Sequence, residues 1–250
     1  IGAGHLAGYM VEGFNACGLS GDIMVAAPNH TRVDKFGRTC NCRTTTNNRD
    51  VVDFARVVVL CVRPDDAYAV LQDLHFSPSH TLVSTVAGLT LDHIEQRVQP
   101  ATAVRMLPIS CVAVGKSPIL MYPENEPVRK MFSCLGTIHA MPDESAFAPG
   151  TALVGAFYAW MFPFMDALAA WTKDQGIDPD MARSLVVETI EGACAMAGHQ
   201  KDIPLPDIWK TLATPGGISE LGARVLEDED SFAAWLKALD AVTQRMRNPG

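Results

Sequence analysis

The sequence has no run of lysine or arginine, and its 20 basic against 28 acidic residues leave a net charge of −8 at pH 7. That balance, with an isoelectric point near 5.3, excludes nucleic acid or an anionic membrane surface as the principal partner. It also lacks a cysteine framework. Seven cysteines, an odd number, lie scattered at 17, 40, 42, 61, 111, 134 and 194, as reduced and mostly buried thiols do in a cytoplasmic protein. Cys40 and Cys42 are the only close pair, and without a second pair or a nearby histidine no metal site is expected. There is no visible signal peptide, and no charge-free apolar run long enough to span a bilayer. The longest candidate, Thr151 to Trp171, contains Pro163 and Asp166 and is expected as a buried helix. Internal repeats and low-complexity linkers are absent as well.

What is present is 250 residues that are 48% hydrophobic, enough for one large or two moderate cores. Up to about residue 142, short β-branched runs (22–27, 57–62, 81–86, 102–107 and 118–122) alternate with helical patterns at 5–17, 31–37, 65–74, 91–97 and 125–134. Apolar runs without strict alternation suit strands buried on both faces, and their alternation with helices predicts an α/β, Rossmann-type doubly wound sheet. From 145 onward every segment reads as helix: 145–173, 179–198, 205–213, 217–227 and 231–247. The expected division is therefore a nucleotide-binding domain over 1–143 and an all-helical domain over 144–250.

The opening IGAGHLAG carries Gly2, Gly4 and Ala7 in G-x-G-x-x-A spacing ahead of a helix and then a strand. In that order the pattern predicts a dinucleotide site. Gly2 permits the tight turn, Gly4 lets backbone approach a diphosphate at the helix N-terminus, and Ala7 keeps helix and sheet close. His5 flanks either the phosphate or open solvent. Only Ile1 stands where a preceding strand belongs, so the natural chain is expected to begin several residues upstream. At the end of the second strand, where an acid would bind a ribose 2′-hydroxyl, the residues are Asn29, His30, Thr31 and Arg32. No carboxylate opposes a 2′-phosphate there, which favours NADP(H) over NAD.

IGAGHLAG, VVVLCVRP, STVAGLTLDHIEQ, VRMLPIS, ETIEGACAM and TPGGISELG follow one another along essentially the whole chain. In this the sequence resembles the pyrroline-5-carboxylate reductases. The resemblance implies a Rossmann domain followed by a helical dimerisation domain, and NADPH-dependent reduction of a cyclic imine to proline. It implies a cofactor held at Gly2, Gly4, His5, Leu6 and Ala7, with Asn29 near the adenosine 2′ position and Asn48 near the ribose. Val62, Arg63 and Pro64 match the family's Val-Lys-Pro, and Ala87 and Gly88 its Ala-Gly pair. Thr214, Gly216, Gly217, Ile218 and Ser219 match the substrate loop, with Ser219 at the position of a threonine hydroxyl.

The chemistry of that loop agrees. Successive amides in a glycine turn that opens a helix suit a carboxylate, while Ser219 reaches a ring nitrogen; Thr214 or Ser219 could instead cap the helix. The helix around VGAFYAWMFPFMDAL has no lysine of the kind hydroxyacid dehydrogenases use as a base, and a protonated imine requires none. Departures from the family pattern are Leu107-Pro108-Ile109 for Met-Pro-Asn, and Gly155 to Trp160, large aromatics among them, for Gly-Ser-Gly-Pro-Ala-Tyr. The aromatics fit either packing or a changed pocket, and the alternatives to proline synthesis are a related imine or carbonyl reductase with a bulkier substrate and a nucleotide-binding homologue without turnover. Apolar positions such as Leu185, Ile190, Leu221, Leu226 and Trp235 predict an interwound homodimer, or a higher homo-oligomer, acting on a small molecule.

Overall fold

The computed structural model describes residues 1–19 and 22–247 and, of Arg32 and Lys35, the backbone. It divides into two compact units: Ile1–Gly155 with, of the described residues, 243–247, and Ala156–Val242.

The first unit runs α1 (His5–Ala16), β1 (Met24–Ala26), α2 (His30–Cys40), β2 (Arg43–Thr45), α3 (Asn48–Phe54), β3 (Val57–Leu60) and α4 (Pro64–Gln72). It continues through β4 (Thr81–Ser84), α5 (Leu91–Val98), β5 (Thr102–Leu107), β6 (Ser117–Tyr122), α6 (Glu126–Phe132), β7 (Gly136–Ala140) and α7 (Phe147–Thr151). β3 to β7 form one sheet in chain order, and β1 pairs in parallel with β2. Ile1 and Gly2 bridge the two pieces: Gly2 N donates to Ala26 O at 2.8 Å, and Cys61 N to Ile1 O at 2.8 Å. Beside this bridge lies an apolar cavity of about 440 Å³ walled by Met24, Val25, Val57 and Val59.

Successive strand residues serve opposite cores, as a sheet covered on both faces requires. Leu82 and Ala103 pack with Leu60, Leu71, Ile94 and Val98, whereas Val83 and Val104 pack with Met106, Ile119, Met121 and Phe132. Each fully buried side chain contributes about 1.5–3 kcal/mol, several times an exposed ion pair such as Lys130–Glu126 at 3.6 Å, so the apolar rows hold the sheet. Gly13, on α1, sits where a Cβ would lie 2.3 Å from Val112 O, which brings the helix against the 3₁₀ turn Ser110–Val114 after β5.

The sheet differs from a wholly parallel one. β6 runs antiparallel to β5, and β7 is parallel to β6. β2, β7 and α3 are additional elements that the apolar runs did not mark.

In the second unit, α8 (Tyr158–Asp174) and α9 (Pro179–His199) are followed by α10 (Leu205–Leu212) and α11 (Ile218–Asp228); α12 (Ser231–Arg247) ends in the first unit. A π-helical turn, Ala152–Phe157, precedes α8. Asp178 caps α9, its carboxylate accepting from Asp180 N and Met181 N. The expected burial of the 151–171 stretch is not found: α8 has no fully buried residue, and Phe162, Leu168 and Trp171 are well exposed in the single chain. Its apolar side chains exceed what one helical unit can cover. The helix spanning Glu144–Asp174, of mean hydropathy 1.4 over its most apolar window, is long and apolar enough by length and composition to cross a membrane.

Candidate functional site

The glycine turn is shaped by close approach. Gly2 has φ +103°, and a Cβ there would lie 2.3 Å from Cys61 O, so neither the conformation nor the space admits a side chain. At Gly4 a Cβ would meet nothing within 4 Å. Gly4 is the N-cap of α1 without a side-chain cap, and the first turn of α1 holds no acid. Its amides are therefore presented to an anion. His5 is exposed beside them. Leu6 packs into the core and can serve a ligand only through its backbone. Ala7 lies among Ala3, Val11, Val25 and Ala27, close against the sheet.

Asn29, His30 and Thr31 are exposed where β1 leads into α2, whose first turn also lacks an acid. The backbone of Arg32 lies in α2; its side chain is outside what the structure describes. A cleft of about 580 Å³ at the carboxyl ends of the first strands brings Asn48 and Val62 together with Pro28, Thr46, Arg49 and Val70. Asn47, not Asn48, caps α3 through Arg49 N at 3.1 Å, which leaves Asn48 to the cleft. Arg63 is the exposed N-cap of α4, with Pro64 at its first position. Ala87 is exposed after β4. Gly88, at φ +77°, lines a separate cleft of about 360 Å³ with Thr90, Arg105, Glu144 and Phe147. Glycine turn, strand ends and 87–88 turn thus lie along one unit, with Asn48 and Val62 in one cleft and Gly88 in another.

In the helical unit, Thr214 to Gly217 form a tight turn. Gly217 N donates to Thr214 O at 2.8 Å, with Pro215 at the second position and Gly216, φ +75°, at the third, the arrangement of a type II turn. Gly217 then caps α11 with no side-chain hydrogen bond, so neither Thr214 nor Ser219 takes the capping role. Ile218, 91% exposed, and Ser219 open the helix in the single chain.

One participant was not expected. Gly216 N donates at 2.7 Å to Glu220 Oε2, and the same oxygen lies 3.6 Å from Arg224 Nη2. The available signal was a glutamate three residues past the N-cap, half of a capping box.

The aromatics of the departed segment favour packing. Phe157, Trp160 and Phe164 surround Trp235 of α12 at ring-centroid distances of 5.8, 6.3 and 5.9 Å. Among the described residues no cluster of three or more metal-ligating side chains occurs.

Comparison with known proteins agrees with this arrangement. Residues 144–249 match the family model for pyrroline-5-carboxylate reductase dimerisation, and residues 1–88 that for NADP oxidoreductase, coenzyme F420-dependent. Pyrroline-5-carboxylate reductase 3 of Xenopus laevis is 29% identical over 262 residues, covering 100% of this chain and 94% of its own. A pyrroline-5-carboxylate reductase structure from Coxiella burnetii superposes with a TM-score of 0.84 at 25% identity, covering 98% of this chain and 95% of that one. The Plasmodium falciparum pyrroline carboxylate reductase, solved with NADP bound, gives 0.84 at 21% identity over 98% and 94%. With a Rossmann-like sheet ahead of a segment that matches the dimerisation model, and relatives of one name along its full length, the chain is similar from end to end to the pyrroline-5-carboxylate reductases.

Proposed function

We propose that this protein reduces a cyclic imine carboxylate, 1-pyrroline-5-carboxylate, to proline with NADPH, as a cytoplasmic homodimer. The observation that carries the reading is the Thr214–Gly217 turn: a glycine-containing turn opening onto a helix N-terminus that no side chain caps. Amides so placed suit a small carboxylate.

The glycine turn fits a dinucleotide, because Gly4 leaves open space where a diphosphate would approach and α1 adds no competing acid. When bound, the nicotinamide supplies the hydride. The amides at the start of α1 hold the diphosphate, and Asn29 and Thr31 donate toward a 2′-phosphate. In the helical unit the amides of Ile218 and, once Glu220 gives it up, of Gly216 hold the substrate carboxylate while the Ser219 hydroxyl hydrogen-bonds the ring nitrogen. Protonated C=N is already electrophilic, so orientation suffices and no side chain has to remove a proton from carbon or oxygen.

Exposed apolar residues along the helical unit, Leu185, Leu221 and Leu226 among them, support assembly with a second copy. The ring cluster at Trp235 leaves no observation in favour of a bulkier substrate.

The test is NADPH oxidation by the purified protein against 1-pyrroline-5-carboxylate, pyrroline-2-carboxylate and six-membered imines. Turnover of the first to proline is expected, with Ser219→Ala lowering kcat/KM by about tenfold or more, the effect of one hydrogen bond to a charged group. NADPH binding without oxidation by any imine overturns it.

A further inference from the structure

We infer that Glu220 is a specificity-determining residue that occupies the substrate loop with a carboxylate of the protein's own and so weakens its hold on carboxylate-bearing substrates. This rests on the proposed role of the loop. Of the amides of Gly216, Gly217 and Ile218, that of Gly217 closes the turn on Thr214 O at 2.8 Å, and that of Gly216 is taken by a side chain: Gly216 N donates to Glu220 Oε2 at 2.7 Å.

The geometry makes the contact a natural resting state. Glu220 is the third residue of α11, close enough to reach back past the Gly217 cap. Its carboxylate also gains from the helix dipole at that end. The side chain is 41% exposed, so nothing buries or locks it there. Arg224, one turn on, lies 3.6 Å from the same oxygen and gives the carboxylate a second partner when it leaves the loop. A ligand carboxylate seeking the Gly216 amide must therefore displace a like charge that stays within reach. A ring lacking a carboxylate competes for nothing on this amide. The loop consequently discriminates less between the two kinds of imine than its amides alone would allow.

The experiment compares wild type, Glu220→Gln and Glu220→Ala with NADPH on 1-pyrroline-5-carboxylate and on 1-pyrroline, which has no carboxylate. In Glu220→Ala the ratio of kcat/KM for the first over the second is expected to rise about tenfold, the worth of one charge-assisted hydrogen bond, with the change in KM and not in kcat. Glu220→Gln, which keeps an acceptor but drops the charge, falls between. An unchanged ratio in both variants overturns the inference. Should none of the three proteins reduce either imine, the proposed function fails by itself, and binding of L-proline measured by calorimetry decides the role of Glu220. Tighter binding to Glu220→Ala supports it; equal affinity, or no binding to either protein, overturns it.

Discussion

Arg105 Nη1 stands 2.6 Å from Glu144 Oε1, and the same oxygen accepts from Leu91 N at 2.6 Å, tying β5 and the start of α5 to the segment before α7. Arg105 also lies over the Phe147 ring, with Cζ 4.6 Å from its centroid. The arginine side chain is 10% exposed and the glutamate 31%, so removing one partner leaves a largely desolvated charge. Glu144→Ala is expected to cost about 2–4 kcal/mol, somewhat below the loss for a fully buried pair, measured by urea denaturation. A change within about 0.5 kcal/mol, the range of ordinary surface substitutions, would contradict this reading.

Gly2 and Gly4 separate a folding requirement from a binding one. Gly2→Ala places a methyl group 2.3 Å from Cys61 O on a backbone with φ +103° and is expected to destabilise by about 1–3 kcal/mol or more. Gly4→Ala meets no protein atom within 4 Å, so its stability loss stays below about 1 kcal/mol, that of a poorer helix cap. Its NADPH Kd rises about tenfold or more as the methyl meets the diphosphate. Thermal denaturation and fluorescence titration read the two effects apart.

Assembly is tested at Leu185, on α9 and 45% exposed in the single chain. Light scattering is expected to give twice 27.0 kDa for the wild-type protein. Leu185→Asp, which puts a charge on the apolar face, shifts the mass to that of a monomer at micromolar concentration. A wild-type monomer refutes the dimer.

The Cys42 thiol is pushed up from 9.0 to about 11, first by burial and then by the nearby Cys40. Because the folded protein holds this proton more tightly than the unfolded chain, stability is full below pH 9 and declines as pH rises from 9 to 11. Cys134, raised to about 11 by burial and then by Cys17, adds to the decline. Iodoacetamide labelling of Cys42 should stay slow at pH 8 and accelerate toward pH 11. Rapid labelling at neutral pH would contradict the raised value.

Strands β3, β4 and β5 were legible because VVVL, TLVS and TAVRML are apolar on both faces. That same property hides direction, since a doubly buried run reads alike in parallel and antiparallel pairing, and so β6 was found but not its reversal. β2 is three residues of Arg-Thr-Thr with none fully buried, and β7 buries only Ile138. Neither leaves a hydrophobic signature. α3 turns on two adjacent valines, 51 and 52, too few to show a period, although Asn47 as a cap could have marked it. At the site, turn residues were legible because glycine and proline act through backbone geometry. Glu220 was not, because a solvated helical glutamate and one folded back onto a loop amide look the same in sequence.

Gly13 lacks the side chain that would hold α1 off the turn following β5. The helix whose first turn is proposed to hold a diphosphate is thereby braced, about two turns on, against Ser110–Val114, which follows Ile109, whose N donates to Ser117 Oγ at 3.1 Å. α1 thus works as a strut of fixed length between the anion cradle and the Leu107–Ile109 corner. A spacer as small as one methyl at position 13 would tilt the strut and misalign both ends together, without touching either.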